Sequence, residues 1–278
     1  MKERFSRERL AAACRRLGQY LRLIGLYFKV NLSGAMAYRA TFVMQAAGMA
    51  FSNAFFIVFW AIAFAHMGGG IGGYAFDDVM FIWATATSAY GLSYMLFGNQ
   101  ARLSGSIISG EMDVYLLQPK PPLLGMMCAG VNLSAWGDFA YGIILMLATQ
   151  HGNPMAWLMY LAGVLAGVPI IAGVSMLAHS LTFYLGNANI IGGMAMEFMI
   201  SMTVYPLGIY RGVIRALMFS LLPAAFIVHI PLSLVSEFKP LVFLGVLAGA
   251  CAYCALAYWV FMRGVKRYES GNLIITRM

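Results

Sequence analysis

Charge is scarce in this chain. Asp, Glu, Lys and Arg make up 10% of its 278 residues, against roughly 25% in an ordinary soluble domain. Hydrophobic residues make up 62% and mean hydropathy is +0.78, which excludes a water-solvated globule and indicates a polytopic membrane protein. Acidic residues are the rarer sign, ten against eighteen basic. The basic excess does not point to nucleic acid, because nine of the eighteen lie in the first forty residues and four more at or after Arg263. Charge concentrated at the chain ends sets membrane orientation instead.

Cysteine is also sparse. Cys14, Cys128, Cys251 and Cys254 are all there is; Cys251 and Cys254 share a helix face, but without His partners or a second Cys pair they make no metal site. No metal and no cofactor are expected in this chain. The G-x-x-x-x-G-K-[ST] pattern is missing, so the chain does not cradle ATP phosphates in the usual way. "GGGIGG" at 68–73 lacks the lysine and reads as a flexible turn. The basic N-terminus is not followed by a short apolar core with a small-residue cleavage site, so it is expected to stay on the mature protein.

What is abundant is apolar sequence. A bilayer core needs about 20 mostly apolar residues per helix, and six stretches meet this, at 41–66, 79–98, 122–148, 157–184, 191–209 and 241–262. A seventh, 216–235, contains Pro223, His229 and Pro231. Parity decides its treatment: six spans place the basic 1–40 and 263–278 segments together in the cytoplasm, whereas a seventh exports one of them. The expected fold is therefore an all-α membrane protein, a single transmembrane domain over 1–278 with six transmembrane helices in 41–262. Residues 216–235 become an outer re-entrant hairpin entered through Arg211 and Arg215, next to a dimer interface or pathway mouth. Loops 67–78 and 149–156 carry no Lys or Arg and face outward; loop 101–121 has Arg102 and Lys120 and faces inward.

Before the first span, residues 15–32 form an amphipathic pattern. Leu17, Leu21, Ile24 and Phe28 share one face, and Arg15, Arg22 and Lys29 recur on another. Such a helix lies in the interface plane, as a basic anchor on anionic lipid or as a mechanical element.

The inward loop holds "GEMDVYLLQPKPP" (110–122), with two of the ten acidic residues. It is long enough for a short helix that Pro119, Pro121 and Pro122 stop. Glu111 and Asp113 meet water or a basic groove; Leu116 and Leu117 need an apolar cover, either a docking partner or lipid.

"SGEMDVYLLQPKPP" resembles the Gly-x-Leu-Asp-x-x-Leu-Leu-x-Pro stretch of the bacterial ABC transporter permeases of the type 2 exporter class, with Met112 where leucine is usual. "YRATFVM" (38–44), "YPLGIYRGVIRALMFSLLPAAFIVHIP" (205–231) and "MRGVKRYESGN" (262–272) resemble other stretches of that family, in its order. The resemblance implies a permease half that pairs with a second permease, identical or related, and with two cytoplasmic ATPase subunits that carry ATP and Mg. It makes 101–117 the coupling helix, with Gly110, Glu111, Asp113, Leu117 and Pro119 at matching positions. It also implies export from a bacterial cytoplasmic membrane, without naming the cargo.

Three ionisable residues fall inside spans: Asp138, His179 and Glu197. Such residues are costly and functional by default. Asp138 and Glu197 either line a cation or substrate path or hold helices together, with Arg211 or Arg215 as candidate partners; His179 reads as structural. A proton- or cation-coupled secondary transporter using the two carboxylates is the alternative, but it calls for paired broken helices in two halves, and 216–235 is the one broken segment legible here. An intramembrane enzyme lacks any H-E-x-x-H spacing. Gly163 and Gly167, in "GVLAG", signal close helix packing.

Overall fold

The computed structural model describes residues 2–67 and 70–269, with side chains from residue 15 onward. Cys14 and the end of the 262–272 motif lie outside these. Every regular element among the described residues is helical.

A 36-residue helix, α1 (Lys2–Ala37), precedes α2 (Arg39–His66) and α3 (Phe76–Leu96). The loop after α3 carries a single 3₁₀ turn, Gln100–Arg102, and the short α4 (Leu103–Ile108) and α5 (Met112–Leu116). Then come α6 (Pro122–Cys128), α7 (Ala135–Thr149), α8 (Pro154–Ser180), α9 (Thr182–Leu185) and α10 (Asn189–Val204). After α11 (Gly212–Leu217), a π-helical turn at Ala225–His229 runs into α12 (Ile230–Ser236), and α13 (Pro240–Val265) completes the bundle. Three segments among the described residues are long and apolar enough to cross a membrane: Arg39–His66, Pro154–Leu185 and Pro240–Val265. The helix starts obey local chemistry. Pro122, Pro154 and Pro240 sit in the first turns of α6, α8 and α13, where the missing N–H costs nothing, and Asn153 Oδ1 accepts from Ala156 N at 3.1 Å to cap α8.

Helix α8 is the central post, buried along most of its length, whereas α2 and α13 turn most of their surface outward. Glycines allow the close approaches. A Cβ at Gly163 collides with Ile227 C=O, one at Gly167 lies 2.6 Å from Ala89 Cβ, and one at Gly91 lies 2.6 Å from Phe139 N. The "GVLAG" spacing thus serves packing, against α3 and the π turn.

Three segments depart from the sequence expectation. The 15–32 helix extends over the whole of α1; Ile24, Tyr27, Phe28 and Asn31 lie toward the bundle, while Leu17 and Leu21 are exposed. The stretch at 122–148 is not one helix but two, broken at 129–134. The break stands because its carbonyls find donors: Asn31 Nδ2 reaches Cys128 C=O at 2.8 Å and Gly130 C=O at 2.9 Å, and Asn99 Nδ2 reaches Met126 C=O at 3.1 Å. Irregular backbone at membrane depth survives when protein supplies such partners. It is also a second broken segment, in the first half of the chain, where none was legible. Finally, α10 ends at Val204 rather than continuing to 209, since Tyr205 precedes Pro206 and takes an extended conformation.

The loops gather at two ends. At one, Gly72 and Gly73 take left-handed φ of 60° and 86° in a tight turn closed by Ile71 and Tyr74, and this turn packs on Gly208. At the other lie loop 97–121, α9 and the start of 266–269, joined by Phe183, which meets Phe261 and Tyr268 edge-on.

Candidate functional site

Loop 97–121 is the most built feature of its end of the bundle. It turns at Gly110, whose φ of 79° is open to glycine and strained for other residues. From there Met112 points inward and is fully buried with Leu103, Ile107, Leu123, Met126 and Phe261. The side chains beyond point outward: Glu111 is exposed, Val114 is 60% and Leu117 88% exposed, and Pro119 is exposed as well. Asp113 lies between, half-buried. Burial raises the Tyr115 hydroxyl above its ordinary pKa, with Tyr27 and Glu111 pushing the same way. The element is therefore anchored by Met112, at the position where leucine is usual, and presents Glu111, Val114 and Leu117 to whatever lies beyond.

Beneath it lies a buried polar joint that sequence reasoning did not find. Ser175 Oγ on α8 donates to Gln100 C=O at 2.6 Å, and Gln100 Nε2 donates to Ser93 Oγ on α3 at 3.2 Å. Thr182 Oγ1 donates to Ser104 Oγ at 2.7 Å, and Ser104 Oγ is hydrogen-bonded to His179 Nδ1 at 2.6 Å. All six side chains are buried. Gly192 on α10 lies flat against the His179 ring, and a Cβ there collides with the imidazole. The position of His179 joins α4, α8 and α10. The available signal was Gln100, Ser104, Ser175, His179 and Thr182, all polar and all in or beside apolar sequence.

The same loop is clipped to α1. Lys120 Nζ donates to Tyr27 Oη and lies 4.7 Å from the centre of that ring, an attraction of a cation for an aromatic face. Together with Asn31 at the 129–134 break, this makes the end of α1 and the loop one mechanical unit.

The other sequence candidates lie apart from this joint. Asp138 opens the first turn of α7, where its Oδ1 accepts from Asn53 Nδ2 on α2 at 2.6 Å, and Tyr141 Oη donates to Asn53 C=O at 3.1 Å. Glu197 is exposed on α10 beside exposed Met194 and Phe198. Arg211 and Arg215 are exposed at α11, and neither is ion-paired to Asp138 or Glu197; Lys239 pairs with Glu237 at 3.0 Å. Pro223 and Pro231 bracket the π turn, with Pro231 buried. Among the described residues no three His, Cys, Asp or Glu side chains are grouped for a metal.

The Asn53–Asp138 contact makes a stability prediction. Asp138→Ala leaves the Asn53 amide unpaired in a mostly buried site, a loss of about 1–3 kcal/mol, while Asp138→Asn keeps an acceptor and is expected to melt close to wild type. Thermal melts in detergent read both. A wild-type melting temperature for Asp138→Ala rejects the tether.

No curated protein matches the sequence. The family described as ABC-2 family transporter protein matches residues 50–271, a stretch that takes in α3 to α13, the exposed loop and the buried joint beneath it. The chain therefore belongs to the ABC-2 transporter family and is a multi-pass membrane permease component of an ABC transporter.

Proposed function

We propose that this permease is half of an ATP-driven exporter in a bacterial cytoplasmic membrane. It pairs with a second permease, identical or related, and with two ATPase subunits that bind ATP and Mg. The observation that carries this reading is the two-sided build of loop 97–121. Its inner side is held by Met112 and the Ser104–His179 joint, and its outer side presents Leu117, 88% exposed. An apolar side chain so exposed beside a carboxylate suits a partner with an apolar pocket rimmed by positive charge. Gly110, Glu111, Asp113, Leu117 and Pro119 are the contact and shaping positions in this reading, and 101–117 is the coupling element.

The architecture is read as six spans with both termini inside. These spans are α2, α3, the broken α6–α7 pair, α8 with α9, α10 and α13, with 216–235 as an outer re-entrant hairpin entered past Arg211 and Arg215. The distribution of basic residues supports this orientation. Glu197 is then a carboxylate on an outward, otherwise apolar face of a membrane helix, which is costly against lipid; the second permease covers this face, or the path lies along it. Transport follows from rocking of the two halves, a population shift driven by nucleotide binding in the ATPase and passed through the loop to α8 and α10.

The first test is extraction in mild detergent and mass spectrometry of what co-purifies. A P-loop ATPase in defined ratio supports the exporter reading. A solitary chain or simple homodimer, under conditions that keep other membrane complexes intact, favours instead a cation-coupled carrier using Glu197 and Asp138.

A further inference from the structure

A second feature of the same end has no part in docking a motor. Between α1, α6, α8 and α13 lies a cavity of about 630 Å³, open on one side. Leu17, Tyr20 and Ile24 of α1 roof it; Pro169 and Ala172 of α8 and Cys251, Cys254 and Ala255 of α13 form its walls. The volume falls in the range of about 300–1,000 Å³ typical of ligand sites. It exists because small residues face each other across the α8–α13 seam, and because α1 bridges the gap instead of filling it.

No charged side chain lines the groove, which fits a hydrocarbon occupant. Its mouth is marked by Tyr20 and Tyr258, both partly exposed, the residue type that collects at the membrane–water boundary. From Tyr258 inward to Cys251 is about 10 Å by helical rise. The groove thus runs within one leaflet of a bilayer core roughly 30 Å thick. The charge that α1 brings to the mouth is one-signed: Arg16 is exposed one helical turn before Tyr20, and no acidic residue follows from Arg15 to the end of the helix. A long apolar slot with a cation at its interfacial end matches one lipid class.

We propose that this groove binds one acyl chain of an anionic phospholipid of the inner leaflet, with the headgroup held by Arg16. The lipid joins α1 to α8 and α13, and so ties the unit formed by α1 and loop 97–121 to the bundle core. The proposal rests on the reading that this end faces the cytoplasm, but its test needs neither ATPase nor transport.

The experiment uses the full chain, stripped of native lipid in detergent and titrated with phosphatidylglycerol or phosphatidylcholine while native mass spectrometry counts bound lipid. A basic residue near a membrane surface adds attraction for anionic lipid, so wild type is expected to retain phosphatidylglycerol roughly fivefold over phosphatidylcholine. Ala255→Trp, a change at an exposed groove position, is expected to abolish this retention, and Arg16→Glu to remove the preference between headgroups. Equal retention of the two lipids by wild type, or undiminished phosphatidylglycerol binding by a folded Ala255→Trp, overturns the proposal. Wild type alone supplies a readout independent of the variants: Cys251 is exposed in the groove, and phosphatidylglycerol is expected to slow its alkylation by N-ethylmaleimide more than phosphatidylcholine does. The same alkylation rate with both lipids overturns the proposal as well.

Discussion

Replacing Glu111 with Lys and Leu117 with Asp together is expected to strip the permease of its ATPase while leaving the permease itself folded. Both side chains are exposed, and surface substitutions of this kind usually change stability by no more than about 0.5 kcal/mol. The loss falls on association. An apolar anchor in a docking pocket is commonly worth about 2 kcal/mol or more, and a charge reversed against a complementary rim adds to that. The combined effect is at least a hundredfold drop in affinity on the scale of about 1.4 kcal/mol per factor of ten. The measurement is the yield of ATPase retained on immobilised permease, with the melting temperature of the permease as control. Extending the charge change to Asp113→Lys is expected to deepen the loss. Full retention of the ATPase by the double variant removes loop 97–121 from the docking role.

The second large effect concerns transmission rather than docking. His179→Ala removes one of the two hydrogen-bond partners of the buried Ser104 hydroxyl, about 1–3 kcal/mol of stability. It also opens space where α10 leans on the ring. Gly192→Ala attacks the same joint from the other side by driving a methyl group into the imidazole, and overpacking of this kind costs about 1–3 kcal/mol. Because Glu111, Val114 and Leu117 stay in place, both variants are expected to hold the ATPase and to hydrolyse ATP while moving cargo several-fold less per ATP. ATP turnover and cargo flux, measured on the same reconstituted vesicles, give that ratio. An unchanged ratio in a protein that melts lower makes the joint a matter of stability alone. Ser175→Ala, which frees the Gln100 carbonyl, serves as a third point on the same series.

How far this was legible beforehand follows from what each feature depends on. Composition and the apolar runs are enough to place the chain in a membrane, because they reflect the solvent and not any contact. The stops at Pro119, Pro121 and Pro122 act through missing donors within one turn, and α5 and α6 end and begin where they dictate. "GVLAG" also acts locally, by leaving room on one helix face. The break at 129–134 is different. Its segment, "AGVNLS", carries local breakers, Gly130 at a φ of 139° and Asn132, whose Oδ1 accepts from Ala135 N at 3.3 Å, but Asn31 and Asn99, which hold the carbonyls of Gly130, Cys128 and Met126, come from elsewhere in the chain. The joint at His179 likewise depends on a pairing with Ser104 across 75 positions. Ser, Thr and Gln are tolerated singly in membrane helices, so no local pattern singles out these members. The same holds for Asp138, where the partner is Asn53 and not either of the arginines that charge alone suggested.

The outward side chains of loop 97–121 are the exception among site residues. Glu111 and Leu117 are adjacent in meaning as well as in place: the carboxylate cannot be buried cheaply and the leucine gains nothing from water, so a segment that carries both in a hydrophilic loop asks for a partner. The structure adds the opposing half of that picture, a Met112 with no exposure holding the segment down.

The central claim is that Leu117 sits in a pocket of a cytoplasmic ATPase. A photo-crosslinking amino acid placed at position 117, activated in intact membranes and followed by mass spectrometry of the adduct, tests it directly. The account predicts an adduct with a P-loop ATPase that weakens when Glu111 is changed to Lys. Adducts confined to lipid, or to a second copy of this chain, contradict it.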